Sequence, residues 1–173
     1  MSSEVATAAD ASPLAQLVNA AYRGAGGRHG WTDEAALIAG DRASSKDIAA
    51  MIGDSSTTVL VRRSEPPPAL VGCVAVEMNS TARCTISMLA VAPERQTAGL
   101  GRALLEDAER PAVSKGATIA KITVVQQRDS LIHWYERRGY RRTGGREDFP
   151  YDDDSVGTPR RDDLGFVILE RSL

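Results

Sequence analysis

The sequence predicts an α+β fold, a central mixed but mostly antiparallel β-sheet of six to seven strands flanked by helices. Three observations carry this expectation. With 173 residues the chain has the size of one compact domain, read as spanning 1–173, and is short for two independent cores. Between Thr57 and Val91 three β-branched, apolar runs are joined by short polar turns, the pattern of an antiparallel meander. Helical periodicity precedes the meander, and after Pro93 the pattern alternates as β-α-β-α-β-β.

In chain order, Met1 to Asp10 reads as a tail that ends in a strand. Ser12-Pro13 reads as a helix start, a capping hydroxyl followed by a proline whose missing N–H costs nothing there. Leu14, Leu17, Val18 and Ala21 follow at helical spacing, and the glycine-rich stretch Arg23 to Gly30 breaks the helix. Trp31-Thr32-Asp33-Glu34 reads as a second helix start, with Thr32 as cap and two acids at the positive end of the helix dipole. Ser44 to Asp47 starts a third, with Ile48, Met51 and Ile52 as its buried stripe and Gly53 as a left-handed terminator. The meander strands are Thr57–Arg63, Ala69–Met78 and Cys84–Val91, the first two separated by Pro66-Pro67-Pro68. Gly101 to Lys115 is helical, with Leu100, Leu104, Leu105, Ala108 and Val113 turned inward and Gly116 ending it. Ala117 to Val125 is a buried strand, Ser130 to Arg138 a helix with Gly139 as its cap, and Tyr140 to Thr143 begins a strand. Phe149 to Arg161 reads as a polar loop before a last strand, Phe166 to Leu169.

Composition removes several function classes. Lys+Arg is 21 and Asp+Glu 23, a net charge of −2, which disfavours a nucleic-acid or anionic-membrane coat. No apolar run approaches the roughly 18 residues of a span, and the N-terminus has neither the basic nor the apolar region of a signal peptide. A cytoplasmic protein is therefore expected. Cys73 and Cys84 are too few for a disulfide scaffold and read as buried apolar positions, and with His29 and His133 they show no zinc spacing, so no metal is expected. Only Lys46, Lys115 and Lys121 are lysines among many arginines; with the alanine content, this suggests a GC-rich, bacterial source.

Chemistry concentrates in Ser87 to Arg102. A buried strand enters a glycine-containing loop that opens a long helix, and such a turn points successive backbone N–H groups, reinforced by the helix dipole, at an anion. Arg95 and Arg102 add charge. A P-loop would need Gly-Lys-Ser/Thr, and this loop has no lysine. A dinucleotide fingerprint would need Gly or Ala at position 104, where Leu104 stands. Taken alone, the two glycines also suit a tight turn with no ligand.

Gln96-x-x-Gly99-x-Gly101 resembles the acyl-CoA loop of the GCN5-related N-acetyltransferases (GNAT), whose pattern is Gln/Arg-x-x-Gly-x-Gly/Ala. The preceding Leu89-Ala90-Val91 and Pro93 resemble that family's central strand. Trp134-Tyr135-Glu136-Arg137-Arg138-Gly139-Tyr140 resembles its Tyr-x-x-x-Gly-Phe/Tyr signature. The two motifs span about residues 86–143 in the family's order. The resemblance implies an acetyl-CoA-dependent N-acetyltransferase acting on a primary amine of a small molecule, protein or peptide by direct attack. Acetyl-CoA is the implied co-substrate: its pantetheine arm would pair with the backbone of Leu89, Ala90 and Val91, and its pyrophosphate would sit on Gln96, Thr97, Ala98, Gly99, Leu100, Gly101 and Arg102. Tyr135 would protonate the leaving thiolate. Many members carry Asn seven residues before that tyrosine; Arg128 stands there, a candidate for a CoA phosphate, while Asp129 and Ser130 are candidates for the helix cap and Ser130 also for a cofactor contact. The best candidate for general base is Glu77. The alternative is a non-catalytic acyl-CoA-binding module of the same fold. The family often forms homodimers, so a homodimer is an expectation too.

In such a fold the acceptor pocket lies between the early helices and the late loop. Trp31, Glu34 and Arg42 come from the first part, Phe149 and Tyr151 from the second. The acids near them, Asp152 to Asp154 included, suit a cationic amine; Arg42 equally suits a substrate carboxylate, so the sign of the substrate stays open.

Overall fold

The computed structural model describes residues 2–27, 29–66, 68–96 and 98–173. Thr97 of the anion loop therefore lies outside the described residues. The expected tail forms an edge strand, β1 (Glu4–Val5), antiparallel to β3 (Thr57–Arg63). α1 (Ala11–Arg23) starts slightly before Ser12, behind a one-turn 3-10 helix in which the Thr7 N–H donates to the Asp10 carboxylate at 2.8 Å. Its apolar stripe of Leu14, Leu17, Val18 and Ala21 is buried.

Residues 31–37 do not form the expected helix; they are turns held by distant partners. The Thr32 hydroxyl, rather than capping, donates to the Ala21 carbonyl, and Glu34 is drawn inward to arginines from two other segments. Tertiary bonds here outweigh a short stretch's helical preference. The strand β2 (Ile38–Ala39) follows and pairs with β8 (Thr158–Pro159), so part of the polar 149–161 segment is structured. α2 (Ser45–Gly53) has the expected start, with the Ser44 hydroxyl accepting from the Asp47 N–H at 3.1 Å. Gly53 is its last helical residue, not a left-handed cap; Asp54 continues in extended backbone.

β3 pairs antiparallel with β4 (Leu70–Met78), and β4 with β5 (Arg83–Val91). α3 (Leu100–Ser114) then leads to β6 (Ile119–Val125), parallel to β5. Val113 is 50% exposed; the helical phase gives its inward place to Ala112. α4 (Asp129–Glu136) precedes β7 (Arg141–Asp148), and β9 (Gly165–Ser172) lies between β6 and β7, antiparallel to both. The sheet thus has seven strands in the order β1-β3-β4-β5-β6-β9-β7.

Side chains alternate across this sheet. One face (Val74, Val76, Cys84, Ile86, Ile122, Leu169) packs on Leu104, Leu105 and Ala108 of α3 and Ile132 and Tyr135 of α4. The other (Val59, Val61, Cys73, Ala75, Met88, Ala90) packs on Leu14, Leu17 and Val18 of α1 and Ile48 of α2. Each cysteine is a buried free thiol. Among the described residues no helix is long and apolar enough to cross a membrane.

Candidate active site

The site begins where two strands part. β5 and β6 pair only over Arg83–Thr85 and Ile119–Lys121. On its other side β5 carries a bulge: Cys73 of β4 faces Ala90 and Ala75 faces Ser87, so β5 uses one residue more than its partner. Met88 absorbs the kink with φ 52°, the one positive φ outside glycine among the described residues. The bend steers β5 away from β6 and opens a cleft. Two cavities, of about 210 and 260 Å³, occupy it, and Tyr22, Leu89, Leu131 and Tyr135 line both.

The smaller cavity runs from this junction to the start of α3. Val91, Gln96, Gly99, Gly101, Arg102, Trp134 and Arg138 line it, with Trp31 and Thr32 closing one side. Gly99 caps α3 in the left-handed region (φ 75°), and the first N–H groups of a helix have no carbonyl partners within it. Gln96 is locked in place: its Nε2 donates to the Thr32 hydroxyl at 2.8 Å and to the Val91 carbonyl at 3.1 Å. Gly30 leaves the room it needs, because a Cβ there would collide with the Gln96 amide. The Gln96 Oε1 is buried without a partner, as is the Arg138 Nε. Arg138 lies over the Trp134 ring at 3.5 Å, donates to the Trp134 carbonyl at 2.7 Å, and has its pKa lowered by burial and by Arg137 and Arg102. Arg102 is exposed and paired with Glu106 at 2.8 Å.

These groups fit acetyl-CoA. A run of helix N–H groups and arginines suits a pyrophosphate. The orphaned Gln96 carbonyl oxygen suits a ligand amide N–H, and the slot between Leu89, Val91, Leu131 and Trp134 suits an aliphatic arm. The carbonyls of Leu89 and Val91 already accept from Tyr22 and Gln96, which leaves each one lone pair for a ligand. Ala90 is buried, Ala98 exposed, and Leu100 packs on the core at the start of α3.

Tyr135 sits at the junction, 5% exposed. Its ring meets Trp134 edge-on at 5.0 Å and Tyr140 at 5.7 Å between centroids. Burial, reinforced by nearby Tyr22, pushes its pKa far above the ordinary tyrosine value, so the hydroxyl holds its proton. Tyr22, which the motifs gave no reason to single out, donates to the Leu89 carbonyl at 2.9 Å, and burial raises its pKa to about 12.

The larger cavity lies beyond Tyr135. Arg23, Glu34, Arg42, Ser87, Thr123, Glu147, Phe149 and Phe166 contribute to it. Glu34 is 6% exposed and is gripped by Arg23 and, at 3.0 Å, by Arg128. Both expectations for that pair change. Glu34 is not free to bind a cationic substrate, and Arg128 is spent on Glu34 and the Trp31 carbonyl rather than on a CoA phosphate. Arg42 lies 5.7 Å from the Tyr22 ring centroid and has no carboxylate partner among the described residues. Phe149 is buried and stacks on Phe166 at 5.8 Å. Tyr151 stands outside the lining, its ring against Phe149 and its hydroxyl accepting from the Leu164 N–H at 2.7 Å. Asp152 to Asp154 are exposed and do not line the cavity. Trp31 belongs to the smaller cavity, 6.2 Å from Trp134.

Two further expectations fall outside the cleft. Glu77 is exposed, opposite Thr57 and Thr85 at the end of β4 where β5 and β6 are still paired, and it lines neither cavity. It shares the sheet face of Cys73 and Ala75 but is exposed at the strand end, so it is not placed at the junction as a base. Ser130 is exposed in the first turn of α4, and neither it nor Asp129 caps the helix; Arg128 occupies the cap position without a side-chain bond. Among the described residues no group of three or more His, Cys, Asp and Glu could hold a metal ion.

The splayed strands, bulge, glycine turn and buried tyrosine come together in one cleft, and comparison with known proteins identifies the fold that carries it. Residues 31–149 match the acetyltransferase (GNAT) domain, so this chain belongs to the GNAT acetyltransferase family. No curated protein matches it in sequence. Its fold is similar to that of ribosomal-protein-S18-alanine N-acetyltransferase from Escherichia coli, with TM-score 0.73 and 16% identity over 99% of this chain and 92% of that one. It is also similar to YncA of Salmonella typhimurium, solved with its cofactor acetyl-CoA, with TM-score 0.70 and 20% identity over 100% and 94%. Nourseothricin acetyltransferase is 28% identical, with TM-score 0.58 over 69% of this chain and 66% of its own length.

Proposed function

We propose that this protein is an acetyl-CoA-dependent N-acetyltransferase that acts on a primary amine by direct attack. The observation that carries the reading is that Tyr135 lines both cavities: one fits acetyl-CoA and the other has room for an acceptor. The neutral amine attacks the thioester carbonyl carbon. A C–N bond forms, the C–S bond breaks, and the electron pair leaves on sulfur. Tyr135 gives its proton to that sulfur and is restored by the proton the amine sheds, through water. The dry surroundings that raise the Tyr135 pKa also raise the proton affinity of a thiolate formed beside it, which keeps donor and acceptor matched. Tyr22 fixes the Leu89 carbonyl and with it the edge of β5 at the reacting end of the cleft.

The test is thiol release from acetyl-CoA with a panel of amines, beside calorimetric titration of acetyl-CoA. Micromolar binding and turnover are expected. Tyr135→Phe should lower kcat by about 10²–10⁴-fold while acetyl-CoA binds within about threefold of the parent. Turnover unchanged in that variant removes Tyr135 as the acid. Binding without turnover for any amine would instead favour the non-catalytic acyl-CoA-binding module.

A further inference from the structure

The larger cavity holds one cation without a carboxylate partner among the described residues. Glu34 is the carboxylate buried in its wall, and two buried guanidinium groups, Arg23 and Arg128, share it. Glu147, the other acid in the lining, is paired with Lys121 at 2.8 Å. Arg42 adds a further cation, half-buried against Tyr22 and without a carboxylate of its own among the described residues. Arg42 is therefore the cation in the lining of this cavity of about 260 Å³ that has no carboxylate partner among the described residues. One of the guanidinium groups also has an open donor: the Arg23 Nε is buried and has no partner, while its two terminal nitrogens are used by Glu34 and the Val156 carbonyl. Unpaired buried charge and unpaired buried N–H are both costly, and a small anion would relieve both.

The remaining wall is mostly apolar, with Met88, Ile122, Val125, Phe149, Val156 and Phe166 prominent in it and Thr85, Ser87 and Thr123 adding hydroxyls. Tyr22, Leu89, Leu131 and Tyr135, which line both cavities, mark the end where the acetyl group would be delivered. We infer that the acceptor is a small primary amine that carries a carboxylate near the amine and an apolar body, the chemical class of the apolar amino acids. This inference rests on the acetyltransferase reading above. Arg42, with the open Arg23 donor behind it, holds the carboxylate; the aromatic wall takes the side chain; the amine faces Tyr22 and Tyr135. The acidic stretch Asp152 to Asp154, which would favour a cationic acceptor, is outside the cavity.

The experiment measures thiol release by the full chain with L-leucine and L-phenylalanine, their carboxamides and their decarboxylated amines. The carboxylates should lead in kcat/KM by about tenfold or more, with most of the difference in KM. Arg42→Gln should compress that ratio toward one. Carboxamides or decarboxylated amines that react as well as the amino acids would overturn the inference, as would an unchanged ratio in a folded Arg42→Gln protein. Lysine-containing peptides preferred over all of these would overturn it too. Should no amine release thiol, the transfer reading fails, and titration of the same amino acids into the protein decides the anion site by itself. Carboxylate-dependent binding that Arg42→Gln weakens supports the site; no binding overturns it.

Discussion

The cavity beside α3 takes most of its polar groups from two short stretches of chain, 96–102 and 131–138, whereas the cavity beyond Tyr135 is assembled from residues scattered between Tyr22 and Phe166. The first presents backbone N–H groups, a locked glutamine and arginines at the surface. The second is organised around a buried carboxylate shared by two guanidinium groups. A site made of backbone conformation can be written in a few consecutive residues. A site made of long-range ion pairs exists only once the sheet and helices have brought those residues together.

The contrast is sharpest at Glu34. Its removal leaves Arg23 and Arg128 buried without a counter-charge, and loss of one partner from a buried ion pair typically costs ~3–5 kcal/mol. Glu34→Gln should therefore lower unfolding free energy by about that amount in denaturant titration and disturb the larger cavity more than acetyl-CoA binding. A loss below about 1 kcal/mol would mean that the triad is screened like a surface pair and that the two cavities are not built so differently.

The same contrast explains what was legible. The meander, α3, β6 and α4 are readable because their periodicity and breakers are local: β3 has the expected boundaries, β4 and β5 differ by one residue at one end, and α3 by one residue at each end. Gln96, Gly99, Gly101 and Tyr135 stood in motifs, and the structure brings them to one cavity. Segment 31–37 departs from the expected helix because Thr32 and Glu34, good helix-start residues by themselves, bond to Ala21, Arg23 and Arg128. Nothing within a local window announces such partners. Arg138 carried a usable signal, since it lies within the tyrosine motif, three residues past Tyr135. Tyr22 carried none beyond its helical position; its role follows from the Leu89 carbonyl 67 positions away.

Among the described residues neither cavity offers a free carboxylate at the junction, and this shapes the pH dependence. Glu34 and Glu147 are ion-paired, and Glu77 is outside. The proton that must leave is the amine's own, so kcat/KM should rise about tenfold per pH unit until the amine's pKa is reached, which is roughly 8–10 for ordinary amines. In the proposed mechanism Tyr135 acts in its protonated form. Its pKa is raised above the ordinary 10.0, so the activity it supports is lost only as pH rises through that higher value, and no descending limb is expected below about pH 10. Glu77→Gln should give a superimposable profile. A limb near pH 4–5 that vanishes in this variant would return Glu77 to the mechanism.

The two loop glycines give the smallest effects and the finest test, because their signs should differ. Gly99 has φ 75°, and a Cβ there would meet no atom within 4 Å. Its requirement is conformational, so Gly99→Ala should destabilise by about 1–2 kcal/mol and weaken acetyl-CoA binding by tilting the first turn of α3. Gly101 is already helical, and a Cβ there would stand 3.5 Å from Trp134 Cζ2 and 3.7 Å from Val91 Cγ2, ordinary contact distances. Gly101→Ala should stabilise the protein by a few tenths to about 1 kcal/mol, the helix-propensity gain over glycine. It should leave acetyl-CoA binding within about threefold, whereas Gly101→Val would push into Trp134 and lower affinity further. Thermal unfolding and calorimetric titration of the three variants separate conformation from space. Were both alanine variants to shift stability in the same direction, the cavity beside α3 would be ordered by packing, as the cavity beyond Tyr135 is by charge, and not by the backbone turn at Gly99.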